Sequence, residues 1–185
     1  MSDWSEPVGT FYGATLRARL VVLRGHTPGD ASDLLQTMVY VELQNLGLSP
    51  TEVYFDAEHG HDFRPEYKGG LDCELSDAHG KPVPQSPSAF SGGCPSTCWI
   101  TLQYDSTVRL RANCYGIRGP KEGGLVIPAP GRYWFLKAGD TNNYFLSATF
   151  TTDPPTNRSP RLSITNMHVW SGTLTIPKTK IVMRP

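Results

Sequence analysis

Prolines and glycines interrupt this chain along its whole length, and this feature restricts its fold more than any other. The 185 residues include 18 Gly and 16 Pro, and the prolines run from Pro7 to Pro185. Because proline ends a helix and glycine weakens one, few windows can hold an amphipathic helix. The best helical candidate is a single turn over residues 30–36, after Pro28 and Gly29. We therefore expect a protein built almost entirely of strands.

Between these breaks, apolar and polar residues alternate with the period of two that is typical of half-buried strands. The inward-facing sets that this alternation predicts include Leu16, Ala18, Leu20 and Val22; Val39, Val41 and Leu43; Leu71, Cys73 and Leu75; and Val108, Leu110, Ala112 and Cys114. The polar residues between them are predicted to face outward, among them Arg17, Arg19, Tyr40, Glu42, Gln44, Arg109 and Arg111. Residues 100–104 and 108–114 are spaced as the two strands of a hairpin. The pattern predicts an all-β chain of about eight to ten strands in an antiparallel two-sheet sandwich. We expect one domain over residues 1–185, with an N-terminal extension (1–14) and a Pro/Ser/Gly-rich loop (78–97).

One turn suggests a Greek-key connection between the two sheets. Pro130 and Gly131 separate an apolar strand from a second strand that begins at Arg132 and Tyr133. A tyrosine at this place can donate its hydroxyl to backbone just upstream, as in the tyrosine corner of immunoglobulin-like sandwiches. The alternative is an ordinary hairpin with a packed tyrosine.

Several short motifs resemble those of the immunoglobulin-like β-sandwich domains of bacterial, planctomycete-type proteins. They are Trp4-Ser5-Glu6-Pro7-Val8, Leu16-Arg17-Ala18-Arg19-Leu20, Val39-Tyr40-Val41-Glu42-Leu43-Gln44-Asn45, Pro130-Gly131-Arg132-Tyr133 and Trp170-Ser171-Gly172-Thr173-Leu174. The family has W-G-E-x-V-x-G-L, V-x-V-E-L-x-N and W-x-G-x-L at the corresponding places. The chain departs from it at Ser5, at Phe11-Tyr12-Gly13 before Leu16, and in its cysteine-bearing loop. The resemblance covers about half the chain. It implies an immunoglobulin-like fold and a non-catalytic role, and it transfers no active-site residue.

Cys73, Cys94, Cys98 and Cys114 allow three disulfide pairings or one tetrahedral metal site. The alternation turns Cys73 and Cys114 toward the core, so one expectation is a Cys73–Cys114 disulfide with a second bond between Cys94 and Cys98. A pairing of one inward cysteine with one loop cysteine, four thiols, and zinc are the alternatives. Disulfides would indicate an extracytoplasmic location and thiols a cytoplasmic one. The chain as given begins without a signal-peptide pattern, and apart from the cysteines the sequence leaves the compartment unknown.

The densest polar cluster is Asp56-Ala57-Glu58-His59-Gly60-His61-Asp62. Residues two apart on a strand project from one face, so His59 and His61 could meet one cation, with Asp56, Glu58 or Asp62 as oxygen ligands. The alternative is a solvated loop tip. If the cluster does bind metal, the chain is a metal-binding protein or a metal-dependent enzyme.

Aromatic residues predict a second kind of site. If Tyr133 and Phe135 enter the core, Trp134 must point outward, where with Tyr144 it could stack on a sugar ring or anchor a protein. The chain would then be a carbohydrate-binding module. The alternative is that a loop covers Trp134.

Charge and motifs exclude other classes. The formal net charge is zero and the pI is near 6.9, which argues against nucleic acid as partner. The longest aliphatic run, Leu20 to Leu23, is too short for membrane insertion. No catalytic or cofactor-binding signature is present. We therefore expect a soluble, non-catalytic binding module without a cofactor, which recognises a protein partner or associates with itself.

The zero net charge is the sum of an acidic and a basic half. Residues 1–92 hold 13 acidic and 6 basic side chains, and residues 93–185 hold 4 acidic and 11 basic ones. If strands from the two halves interleave, these charges meet across sheet faces. If they segregate, the molecule is dipolar and could pair with copies of itself.

Overall fold

A computed structural model describes residues 1–10, 13–26, 34–56, 68–87, 97–112, 124–129, 132–137, 139–153 and 168–182. Within these residues the chain is all-β, and neither a helix nor any segment able to cross a membrane as a helix occurs. The thirteen strands are β1 (Val8–Gly9), β2 (Thr15–His26), β3 (Leu34–Asn45), β4 (Thr51–Asp56), β5 (Lys68–Asp77), β6 (Ser86–Pro87), β7 (Thr97–Leu102), β8 (Thr107–Arg111), β9 (Gly124–Ala129), β10 (Arg132–Lys137), β11 (Tyr144–Asp153), β12 (His168–Val169) and β13 (Gly172–Ile181).

These strands form three sheets in which most neighbours are antiparallel. The first sheet has the order β1-β2-β3-β9-β10-β6, and β8 also pairs with β3. The second sheet is β12-β4-β7, and the third is β13-β11-β5. Two parallel pairs occur, β3 with β9 and β4 with β12.

The first sheet is built on the long pairing of β2 with β3, which runs from Leu16 opposite Asn45 to His26 opposite Leu35. The far edge of β3 is shared: β8 pairs with its C-terminal half, and β9 with its first three residues. The side chains predicted to face inward on β2 and β3 are buried, namely Leu16, Ala18, Leu20, Val39, Val41 and Leu43.

A single buried cluster joins the three sheets. Leu20 of the first sheet, Phe55 of the second and Leu146 of the third all belong to it. Its largest fully buried side chains are Trp134, Trp170 and Phe150. The cluster therefore serves as one core rather than three.

Three predictions of local structure are wrong. Residues 34–36, assigned to a helical turn, begin β3, and residues 30–33 lie outside the described part of the chain. The strands β7 and β8 form no hairpin, because β7 pairs with β4 and β8 with β3. The turn before Tyr133 does not cross between sheets, because β9 and β10 pair with each other as an ordinary hairpin.

The N-terminal residues, predicted to be an extension, lie along β2. The backbone N–H groups of Ser2 and Ser5 donate to the carbonyls of Leu20 and Ala18 at 2.9 and 2.7 Å. Val8 then pairs with Leu16. The first ten residues therefore cover the edge of the first sheet.

Candidate functional site

The outward side of β2, β3 and β8 carries four arginines around one buried carboxylate. We call it the arginine face. It comprises Arg17 and Arg19 of β2, Tyr40, Glu42 and Gln44 of β3, Arg109 and Arg111 of β8, and the Trp4 ring. The pleat explains this composition, because residues at alternate positions of each strand project outward while the apolar residues between them enter the core.

Glu42 lies at the centre of this face, and two arginines from the flanking strands bind it. Its register partners are Arg19 on β2 and Arg109 on β8. The Arg19 Nε lies 2.6 Å from Oε2, and the Arg109 Nη2 lies 2.6 Å from Oε1. Only 6% of the Glu42 side chain is exposed, against 25% for Arg19 and 47% for Arg109. Because both carboxylate oxygens are bound, the three side chains form one ordered unit across three strands.

This arrangement lowers the pKa of Glu42. Burial works in the opposite direction, since it penalises the charged form, but the hydrogen bonds and positive charges of Arg19 and Arg109 outweigh it. Glu42 is therefore ionised at neutral pH, and its charge offsets part of the charge of the two arginines.

Two aromatic rings contact the arginines. The Cζ atoms of Arg17 and Arg19 lie 4.7 and 4.3 Å from the centroid of the Trp4 ring. The Cζ of Arg109 lies 5.9 Å from the centroid of Tyr40. These are cation–π distances. Trp4 reaches this position because the N-terminal segment lies along β2.

The margin of the arginine face is also ordered. Arg17 donates from Nε to Gln44 Oε1 at 2.8 Å, and Gln44 donates to Asp105 at 2.9 Å. Arg111 is exposed and makes no ion pair within the described residues. The face therefore offers solvent a guanidinium group at Arg111 and part of another at Arg109.

Trp134 does not point outward, which contradicts the sequence prediction. It is 2% exposed, and its Nε1 donates to the carbonyl of Val83 at 3.2 Å. Tyr133 and Phe135 are the half-buried residues on the opposite side of β10. The inward and outward positions are therefore reversed, and the segment after β5 passes over the indole.

Tyr144 is buried as well, so these two residues do not form the exposed platform that was predicted. Tyr144 is 8% exposed, and its hydroxyl donates to Asp140 Oδ2 at 2.7 Å. The bond raises the pKa of Tyr144 and lowers that of Asp140. Trp134 and Tyr144 also belong to different sheets. Glycan binding itself stays a prediction, without these two residues as its platform.

The remaining predicted residues fall mostly outside the described part of the chain. His59, His61 and Asp62 lie outside it, and only the backbone of Asp56, the last residue of β4, is described. In the described ranges no group of three or more His, Cys, Asp or Glu side chains could hold a metal ion. The metal site at residues 56–62 stays a prediction.

The cysteine pairing also stays a prediction. Cys73 is 2% exposed and faces the core from β5, as the alternation predicts. Cys94 and Cys114 lie outside the described residues, and Cys98 is described by its backbone in β7.

The sequence showed the outward positions of the arginines but not that they share a site. The alternation turned Arg17, Arg19, Glu42 and Arg109 away from the core. The prediction of a β7–β8 hairpin, however, left β8 without its true neighbour β3. One sequence pattern could have indicated this neighbour. Arg109 and Arg111 alternate on β8 as Tyr40 and Glu42 do on β3, and an acidic or aromatic residue is a favourable cross-strand neighbour for an arginine.

Comparison of the chain with protein-family models, with curated proteins and with solved structures finds no significant match.

Proposed function

We propose that the chain is a non-catalytic binding module with an immunoglobulin-like β-sandwich fold, which recognises a protein partner through the arginine face. The sandwich is supported by the single buried cluster to which all three sheets contribute. The immunoglobulin-like type is supported by the sequence motifs that include Trp4, Glu42 and Trp170. The non-catalytic role is supported by the pKa shifts, which have structural causes.

Those shifts involve four described groups: Glu42, Asp77, Asp140 and Tyr144. The pKa of Asp77 is lowered chiefly by the backbone N–H of Lys81 and then by that of His79, within one tight turn. Asp140 and Tyr144 bind each other beside another turn. Each of these four groups is hydrogen-bonded to its neighbours, and these bonds account for the direction of its pKa shift.

The observation that carries the proposal is the composition of the arginine face. Arginine, tryptophan and tyrosine dominate the energetics of protein interfaces, and this face combines four arginines with Trp4 and Tyr40. Glu42 holds Arg109 in place before binding, which reduces the entropy lost when a partner orders that side chain. Since four cations surround one buried anion, the favoured partner surface is acidic.

Site-specific crosslinking tests this function. Thr107, which is exposed on β8 opposite Gln44, is replaced by the photoreactive residue benzoylphenylalanine, so that all four arginines stay in place. Lys81, exposed after β5, is replaced in a matched control. Irradiation in extract of the source cells should attach a defined protein to position 107 and not to position 81. The crosslinked protein is then purified for affinity measurements. Equal crosslinking at both positions, or none at position 107, would contradict the proposal.

With the purified partner, Arg111→Ala should weaken binding about tenfold, which corresponds to about 1.4 kcal/mol. Lys81→Ala should leave the affinity unchanged. Binding should also weaken as salt is added, because part of the attraction is between exposed charges. An affinity that is insensitive to both Arg111 and salt would place the partner on another surface.

A further inference from the structure

The outward side of the third sheet separates its charges by strand. We call it the striped face. The edge strand β5 presents Asp72 and Glu74, and the other edge strand, β13, presents Lys178 and Lys180, all exposed. Between them, β11 presents Phe145, Ser147, Thr149 and Thr151, which are half-buried. An acidic stripe and a basic stripe therefore flank a central strand of mostly small hydroxyl side chains.

Glu74 and Lys178 lie on opposite edges of this sheet. Glu74 is the register partner of Ser147 on β11, and on the other side of β11 a bulge near Pro177 and Lys178 breaks the pairing with β13. Neighbouring strands lie about 4.8 Å apart, so backbones on the two edges are separated by about 10 Å. The Lys178 ammonium lies 5.1 Å from the centroid of the Phe145 ring, over the central strand.

This pattern is complementary to a second copy of itself. A two-fold axis parallel to β11, between two facing sheets, exchanges the two edges, so that β5 of one copy faces β13 of the other. Each acidic stripe then meets a basic stripe, and the contact occurs twice, as in any isologous dimer. An axis perpendicular to the strands would instead place acid on acid. The small side chains of β11 allow the two faces to approach closely.

We propose that the striped face binds a second copy of the chain in a two-fold symmetric, face-to-face dimer, in which Glu74 of each copy pairs with Lys178 of the other. This inference concerns a different face from the proposed function and does not depend on it. The variants below leave the arginine face unchanged, so either proposal can fail while the other holds.

The size of the face sets the expected strength. Three strands of about eight residues cover roughly 400 Å² per copy, from the strand spacing and rise. The total of about 800 Å² is below the 1,000 Å² or so that a stable interface needs. We therefore expect a weak dimer with a dissociation constant above about 1 µM, strengthened at low salt because the contacts are ionic.

Charge reversal tests the geometry. Sedimentation velocity of the wild-type protein at low salt, at concentrations up to about 1 mM, should show a dimer. Its dissociation constant should be as weak as the small area of the face implies. Glu74→Lys and Lys178→Glu should each weaken the dimer at least tenfold, because each places like charges opposite each other twice. An equimolar mixture of the two variants should restore it. In the mixed dimer the two substituted positions face each other with opposite charges, while the native Glu74 and Lys178 remain paired.

Two controls separate this result from unspecific effects. Lys137→Glu changes the same charge at an exposed position of the first sheet and should leave the dimer intact. Circular dichroism melts should show that both single variants are folded, with a small decrease in melting temperature for Lys178→Glu, which loses its contact with the Phe145 ring. A wild-type protein that stays monomeric at 1 mM and low salt, or a mixture that fails to reassociate, would overturn the inference.

Discussion

Asn45 places its whole side chain among backbone groups at the point where the chain leaves the first sheet. It is fully buried. Its Nδ2 donates to the carbonyls of Ser49, Leu102 and Gln103 at 2.9, 3.0 and 3.2 Å. Its Oδ1 accepts from the N–H of Gly47 at 2.9 Å. One amide therefore joins the turn after β3 to the turn between β7 and β8.

Asn45→Ala should lower the free energy of unfolding by about 3 kcal/mol, because several buried backbone groups lose their partner. A urea titration followed by circular dichroism measures this loss. Gln103→Ala is the matched control: its exposed side chain is removed while its carbonyl stays, and the change should be within about 0.5 kcal/mol. A stability of Asn45→Ala equal to that of the control would refute this role.

Glu42 should make stability depend on pH. Its pKa in the folded protein lies below the ordinary value of 4.5, so the unfolded chain takes up a proton first as the pH falls. The stabilisation is then complete above about pH 4.5 and is lost progressively below it. Urea titrations at about pH 6 and pH 3.5 should show a larger loss for wild-type protein than for Glu42→Gln, which has no carboxylate to protonate. An equal loss in both proteins would assign the acid sensitivity to other groups.

At the scale of elements, the N-terminal segment is held to β2 by an irregular ladder. Ser2 is bonded to Leu20, Ser5 to Ala18, and Val8 pairs with Leu16, so three residues of the segment advance along two residues of the strand. At each bulge the serine hydroxyl accepts the strand N–H that a regular ladder would give to a carbonyl, at 2.9 Å from Leu20 and 3.0 Å from Ala18. Both serines are buried, and the ladder positions Trp4 over the arginine face.

Ser5→Ala should cost about 1 to 2 kcal/mol, because the buried N–H of Ala18 is left without an acceptor. Hydrogen exchange should show the effect locally. In Ser5→Ala the Ala18 amide should exchange faster than in the wild type, while the exchange of the Val41 amide in the adjoining strand should change less. Glu6→Ala, which changes an exposed neighbour, is the control. Uniform acceleration over the whole sheet would instead indicate a general loss of stability.

Strands were predictable from the sequence because burial on one face imposes a period of two. Residues 16–22, 39–43 and 71–75 show this clearly, and their apolar positions face the core or pack against it. Strand partners were less predictable, because pairing depends on contacts far apart in sequence. Asn45 illustrates this: its bonds to residues 102 and 103 help to fix where the chain passes from β7 to β8. No local pattern at residues 100–114 shows that contact.

The candidate site was predictable only in part, for the same reason. Arg19, Glu42 and Arg109 were assigned correct outward positions, but their meeting depends on β8 pairing with β3. Trp134 was misplaced because β10 is apolar on both faces, so alternation alone could not decide which side enters the core.

For the whole molecule, a stack of three aromatic rings connects the sheets. Phe55 of the second sheet stacks on Phe150 of the third, and Phe150 on Trp170, each with centroids 6.1 Å apart. The Trp170 Nε1 donates to the Val8 carbonyl of the first sheet at 2.9 Å. Gly172, at φ +153°, lies close to this indole, where an added Cβ would come within 3.2 Å of the ring.

Phe150→Ala should destabilise the protein by about 3 to 5 kcal/mol, since it empties the middle of the shared core. Unfolding of the wild type should be one transition, with near-UV and far-UV circular dichroism changing together. Thr149→Ala, at the neighbouring half-buried position, is the control and should cost far less. Two separate transitions in wild-type protein would show that the sheets unfold independently.

The two halves of the chain interleave. Strand β3 of the acidic half pairs with β8 and β9 of the basic half, and β5 of the acidic half pairs with β11 of the basic half. In the first sheet this interleaving brings Glu42 of the acidic half against Arg109 of the basic half. In the third sheet it places the acidic strand β5 and the basic strand β13 on either side of β11. Acidic side chains of the first half and basic side chains of the second half thus lie within the same sheets.

The ladder of residues 1–9 also bears on aggregation. An uncovered edge of β2 would present regularly spaced N–H and C=O groups to any extended chain, which is how sheets of different molecules merge. The covering segment occupies these groups, in part through the hydroxyls of Ser2 and Ser5, which accept the N–H groups of Leu20 and Ala18. A foreign strand could pair with this edge only after displacing the segment, so coverage protects the edge against misassembly.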